Sequence, residues 1–174
     1  MKHADFHVGL EFVGRAGFRW QCTDVGTRTI LAIQLDRKDP NWYQGPPYIA
    51  TEVVFDEHEI EHCHLSDDDA LKAAIRDHKV SGHPGYPVDA ITRMMNALHA
   101  HRYPHPGVLR FDRRRADGEI LHPYAGRREA QAWIVELYLP FLQTYEAMPE
   151  QDFIALPRAS AHDLRARAGH HVRS

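Results

Sequence analysis

Apolar and polar side chains alternate along Phe18–Leu35, where Phe18, Trp20 and Cys22 are separated by Arg19, Gln21 and Thr23. A period of two is that of a half-buried strand, and Asp24-Val25-Gly26-Thr27 supplies turn residues that fold the segment into a hairpin. The second arm, Ile30-Leu31-Ala32-Ile33, is apolar on both faces, which places it in the middle of a sheet. Val8, Leu10 and Phe12 alternate in the same way before the hairpin, and a further strand is expected over Ala50–Asp56. Between them Asp36–Tyr48 carries Pro40, Gly45, Pro46 and Pro47, which forbid regular ladder pairing, so this stretch reads as a loop with aromatics in it.

Helical spacing follows. Ser66 is a good N-cap, Asp67, Asp68 and Asp69 suit the positive end of the helix dipole, and Leu71, Ala74, Ile75 and His78 share a face. A second helix starts at Pro87, with Val88, Ile91, Met95 and Leu98 recurring to about His101. Val108–Asp112 and Glu119–Tyr124 read as a second hairpin turned at Asp117-Gly118, with Arg113, Arg114 and Arg115 at its tip. From Arg127, the residues Ala130, Trp133, Ile134, Leu137, Tyr138, Phe141 and Tyr145 fit one face of a long helix kinked by Pro140. Phe153, Ile154 and Leu156 dock the chain once more, and beyond Pro157 there is almost nothing to bury.

These elements predict an α+β protein: a small curled antiparallel sheet or SH3-like partial barrel with about three packed helices. The expected divisions are an antiparallel β subdomain over 1–64, a helical subdomain with the second hairpin over 65–157, and a basic, disordered tail or marginal helix over 158–174. With 174 residues the chain can bury a core without help from disulfides or metal. Two cysteines are too few for a disulfide framework, and Met1–Phe12 lacks the apolar core of a secretory signal. No apolar run approaches membrane-spanning length. The expectation is a soluble cytoplasmic protein with no membrane partner.

Charge is unevenly spread. Met1–Lys79 holds 9 Lys and Arg against 14 Asp and Glu, and Glu52–Asp69 alone has eight carboxylates and no Lys or Arg. Arg102–Arg128 holds seven Arg, and only that stretch suits phosphates. Of the 21 cationic side chains 17 are Arg, which with abundant Ala suggests a GC-rich bacterial genome.

One motif carries sharp chemistry. His58–His62 reads HEIEH, and on a helix the spacing sets two imidazoles one turn apart to hold zinc, with Glu59 as general base and His64 as a third ligand. Against it, the motif follows directly on a strand, has few apolar anchors, and belongs to a chain with 14 histidines. At the first hairpin turn Arg28 and Asp24 could act on RNA by phosphate contact and acid–base chemistry. Trp42, Tyr43 and Tyr48 either cover the open end of a barrel or offer flat faces to a ligand or base.

The segments FHVGLEF, RWQCTDVGTRTILAI, DPNWYQGPPY and EVVFDE, together spanning about residues 7–56, resemble a group of short uncharacterised proteins of proteobacterial genomes and mobile elements. That resemblance implies a bacterial origin and no activity, and the group's pattern does not include the His58/His62 pair. A looser likeness, of strand order and loop character, is to the SH3-like barrels of plasmid-borne ribonuclease toxins, and fold likeness alone confers no function. The leading expectation is a non-enzymatic binding or regulatory protein of an accessory element. It would contact protein or nucleic acid through Trp42, Tyr43, Tyr48 and Arg113–Arg115. A zinc hydrolase at HEIEH, a toxin-like nuclease at Arg28 and Asp24, and an acidic inhibitor that mimics a phosphate backbone are the alternatives.

Overall fold

In the computed structural model, which describes residues 1–100 and 102–171, the first hairpin forms where its alternation puts it. Strands β1 (Glu11–Val13), β2 (Arg19–Val25), β3 (Ile30–Gln34) and β4 (Glu52–Phe55) make an antiparallel sheet in sequence order. A bulge between Cys22 and Asp24 breaks the β2–β3 register. The sheet's core face gathers Phe12, Cys22, Ile30, Ala32 and Phe55, while Ile33 is buried on the opposite face. Phe12 meets Phe6 and Phe55 edge-on, with centroids 5.1 and 5.4 Å apart, the geometry that ring quadrupoles favour. Ile60, on the one-and-a-half-turn helix α1 (Glu57–Glu61), closes this core beside Cys63.

Helix α2 (Asp67–Ser81) starts at Ser66, whose hydroxyl accepts from the Asp69 amide at 3.1 Å, and α3 (Val88–Ala100) follows Pro87. The chain divides into two compact units, Met1–Asp77 and His78–Ser174, so the division falls within α2. His101, the expected end of α3, lies outside the described residues, as do the His78 side chain and the last three residues of the tail.

The second unit departs from the helical reading of residues 127–145. Strands β5 (Arg113–Arg114), β6 (Ile120–Glu129), β7 (Ala132–Leu139) and β8 (Thr144–Pro149) form a second antiparallel sheet, again in sequence order. The reason is visible in β7. Val135, Leu137 and Leu139 pack on Leu121 and Phe153, while Tyr138, on the other face, packs with Ala90 of α3, Tyr124 and Ala125. Apolar residues on both faces of a strand recur at offsets of three and four as well as two, and so imitate a helical stripe. Glu129 pairs with Ala132 across a two-residue turn that puts Ala130 at φ 50°, and Pro140 sits beyond the end of β7 rather than kinking a helix.

Two further helices, α4 (Glu150–Ala155) and α5 (Ala161–His171), complete five α-helices among the described residues, with two open sheets and no closed barrel. The protein is thus α+β. Where a tail with little to bury was expected, α5 is capped by Ser160 and tied down by charge. Arg167 Nη2 lies 2.8 Å from Glu119 Oε2, with the two side chains only 16% and 6% exposed. At the start of α4, Glu150 accepts from the Tyr103 hydroxyl and from His105 Nδ1 at 2.6 Å. The Tyr103 ring covers Gly126, where any side chain would collide with it. Among the described residues no helix is long and apolar enough to cross a membrane.

Two predictions follow from this architecture. Ala130 adopts a left-handed conformation that costs a Cβ-bearing residue about 1 kcal/mol, so Ala130→Gly is expected to raise the denaturation midpoint by about that amount, read by urea titration. Burial acts to raise the Glu150 pKa, but the hydrogen bonds from Tyr103 and His105 outweigh it and hold the carboxyl below its usual range. The stability this carboxylate contributes is therefore complete above the ordinary Glu pKa of about 4.3 and is lost as pH falls through the lowered value. The Tm deficit of Glu150→Gln should be largest near about pH 7 and shrink towards about pH 3, and a constant deficit would count against the assignment.

Candidate functional site

Hydrogen bonds, more than burial, place the aromatic side chains of the β3–β4 loop. Asp39 caps a 3-10 turn over Pro40–Tyr43, its carboxylate accepting from the Asn41 amide at 3.0 Å. The Tyr43 hydroxyl donates to the Arg37 carbonyl at 2.8 Å and accepts from the Arg37 amide, which staples the two ends of the turn. Tyr48 lies against Gly45, at a point where a larger residue would meet its ring. Tyr43 and Tyr48 are thus used in shaping the loop. Trp42 is left 42% exposed.

Trp42 and Trp20 are walls of a cavity of about 300 Å³. Its other surfaces come from Gln34 at the end of β3, Asp36 and Arg37 just beyond, and Ile49, Thr51 and Val53 leading into and along β4. Trp20 is held from behind by Phe55, ring centroids 4.9 Å apart. The Arg37 guanidinium stands 5.0 Å over the Trp42 ring and its Nε is 3.6 Å from Asp36 Oδ1. The cavity therefore already holds one cation against an aromatic face beside a carboxylate. It adjoins a terminal strand: β4 pairs with β3 alone, and Val53 and Val54 are 41% and 55% exposed. Trp20 drew attention in the sequence only as a core residue, and the contribution of Asp36 and Arg37 depends on the loop folding back over the sheet.

The HEIEH side chains are put to other uses. Asp56 and Glu59 form a capping box at the start of α1, Glu59 Oε2 accepting from the Asp56 amide at 3.0 Å and Asp56 Oδ1 from the Glu59 amide at 3.1 Å. His58 Nε2 accepts from Arg15 at 3.1 Å, which sets a guanidinium where a metal ion would approach. His62 Nδ1 donates to the His58 carbonyl at 2.7 Å. His64 is bridged to Val13 through both backbone groups. Among the described residues no group of three or more His, Cys, Asp or Glu is arranged to hold a metal ion.

Arg28 makes a two-pronged contact with Glu57, at 3.0 and 2.8 Å, rather than joining Asp24; the hydrogen bond and the charge of this pair raise the Arg28 pKa and lower that of Glu57. The three arginines expected at a hairpin tip separate. Arg113 donates to the Leu156 carbonyl at 2.6 Å and lies over Phe153, Arg114 faces Asp163 at 3.4 Å, and Arg115 bridges Asp117 and Glu146, both at 2.9 Å. The acidic run Glu52–Asp69 is likewise no continuous field, since Thr23 donates to Glu52, Arg19 pairs with Asp67 and Lys72 with Asp68. Cys22 and Cys63 are buried free thiols, and burial pushes Cys63 up to about 11.

The second unit contains a polar cluster that no sequence spacing announces. His122 Nδ1 lies 2.8 Å from Asp112 Oδ1 and 3.0 Å from the Tyr86 hydroxyl. His83 stacks at 4.8 Å on Tyr86, and its Nδ1 accepts from the Gly85 amide. Burial lowers the His83 pKa and raises that of Tyr86.

No family model matches the chain, and neither a curated protein nor a solved structure does. The geometry itself must carry the functional reading.

If Asp56 serves as a helix cap, Asp56→Ala should lower stability by about 1 kcal/mol, and Asp56→Asn, which keeps an acceptor, by much less. Equal losses for both variants, measured by chemical denaturation, would count against the capping role.

Proposed function

We propose that this chain is a non-enzymatic, cytoplasmic binding protein of a bacterial accessory element, whose partner is a protein segment carrying an arginine or lysine side chain. The observation that carries the reading is the cavity walled by Trp20 and Trp42, which adjoins the unpaired edge of β4. Such an edge can take an extended peptide as a further strand, main-chain hydrogen bonds giving affinity and a pocket for one side chain giving specificity. Aromatic faces beside a carboxylate suit a cation, and Arg37 on Trp42 is an in-chain instance of that contact.

Charge favours protein over nucleic acid as the partner. Residues 1–77 hold 8 Lys and Arg against 14 Asp and Glu, a balance that repels a phosphate backbone and draws in a basic segment. The rigidity of the loop supports the same reading. A half-exposed Trp fixed by the Asp39 cap and the Tyr43 staple loses little conformational freedom on binding. The buried thiols fit a reducing compartment.

The test is a tryptophan-fluorescence titration of the full chain with a hexa-arginine peptide and, separately, with a fifteen-nucleotide oligo(dT). Saturable binding of the peptide, weakened by roughly tenfold or more in Trp42→Ala, is the expected result, since aromatic anchors in such pockets contribute about 2 kcal/mol or more. Peptide binding unaltered in Trp42→Ala would reduce the effect to general acidity and defeat the proposal. Trp42-dependent binding of the oligonucleotide alone would replace a protein partner with a nucleic acid.

A further inference from the structure

The inward face of α3, Ala90, Met94 and Ala97, packs on Tyr124, Ala125 and Tyr138. The next stripe round the helix does not: Ile91, Met95 and Leu98 are 45–50% exposed. Together with Met94 on α3 and His122 and Tyr124 on β6 they line a groove of about 270 Å³ whose surface is predominantly apolar. Successive residues of a regular strand point to opposite faces. The register shift between Pro123 and Ala125 breaks that alternation, and His122, Pro123 and Tyr124 all line the groove.

The polar groups of this groove are already oriented. The Tyr124 hydroxyl is engaged by Arg93, whose guanidinium also covers Tyr145 at 3.8 Å. His122 is fixed through Nδ1, which donates to the Asp112 carboxylate at 2.8 Å with the Tyr86 oxygen sharing the hydrogen at 3.0 Å. A carboxylate on one imidazole nitrogen holds the proton there and leaves the other as a basic acceptor. Nε2 of His122 is then the hydrogen-bonding atom this imidazole offers to a ligand in the groove.

We propose that the α3–β6 groove binds a small, neutral, apolar molecule bearing one hydroxyl, a short-chain alkylphenol being the class that fits, with its O–H donated to His122 Nε2. Volume and lining select the size and character of the body: the space is at the small end of ligand pockets, and the thioethers of Met94 and Met95 pack well on an aromatic ring. The acceptor selects the head. A carboxylate would face a lone pair on Nε2 with Asp112 behind the same ring, whereas a phenolic hydroxyl has the hydrogen this nitrogen lacks. Asp112 and Tyr86 are positioning residues in this arrangement. The site is independent of the cavity on the first sheet.

The probes are 4-propylphenol and 4-propylanisole, in which the hydroxyl hydrogen is replaced by a methyl group, titrated calorimetrically into the full chain. The phenol is expected to bind saturably with one site and roughly tenfold more tightly than the anisole, the value of one net hydrogen bond. His122→Phe should bring the two ligands to equal affinity, and Met95→Asp should abolish both. Where His122→Phe fails to fold, the imidazole 15N resonances of the unaltered protein decide the matter: the phenol, and not the anisole, should shift Nε2. Equal affinity of the two probes, unsaturable uptake, or an Nε2 resonance that does not respond would overturn the proposal. So would a concentration-dependent dimer dissociated by Met95→Asp, which would make a second copy of the chain the occupant of the groove.

Discussion

The central strand of the second sheet has to be covered on both sides, and most of that unit is the cover. Val135, Leu137 and Leu139 send their side chains to one face of β7 and Tyr138 to the other, all at or below 1% exposure. One face requires Phe153, which brings in α4 and the turn that precedes it; the other requires α3 and the tyrosine cluster around Tyr124 and Tyr145. Each of these large side chains contributes on the order of 1.5–3 kcal/mol when fully buried, so the faces cannot be left open. In the first sheet β3 imposes the same demand, with Ile30 and Ala32 on the aromatic core and Ile33 buried opposite.

What remains outside those two cores is shaped by hydrogen bonds, and there the side chains with conspicuous chemistry meet different fates. Glu59 and Asp56 are spent on capping a helix too short to persist by propensity, and His58 is given to Arg15. The arginines of residues 113–115 each settle on a separate acceptor, and two of those acceptors, Asp163 and the Leu156 carbonyl, belong to the chain beyond the sheet. Trp42 has the opposite history. Its neighbours Asp39 and Tyr43 satisfy the loop's backbone, so the indole need not be buried for the loop to hold its shape. A rigid, half-exposed aromatic beside an open strand edge is the arrangement in which contact with a partner costs least entropy.

The Asp112–His122 pair obeys a similar economy. It lies where an irregular step in β6 turns consecutive residues toward one groove, and its hydrogen bonds settle the imidazole's tautomer before any ligand arrives. Bulges that re-aim a side chain in this way are more frequent near binding and catalytic sites than in uninterrupted ladders.

Local pattern alone determined the first hairpin, the loop of Asp36–Tyr48, the start of α2 at Ser66 and the run of α3, because each depends on contacts between near neighbours or on residues with a fixed backbone preference such as Pro40 and Pro87. The α+β class followed from the same signals. Tertiary structure decided residues 127–149, where a strand buried on two faces has the same apolar spacing as a helix and only its pairing with β6 and β8 separates the two. It also decided that residues 161–171 form a helix, since the anchor for Arg167 is Glu119, a carboxylate far away in the chain. The candidate sites divide in the same way. Trp42 was legible as an aromatic in a proline-rich loop, but its cavity with Trp20 and Arg37, and the Tyr86–His122–Asp112 cluster, join residues from separate elements. The distance between such residues is set by packing, which no local spacing encodes.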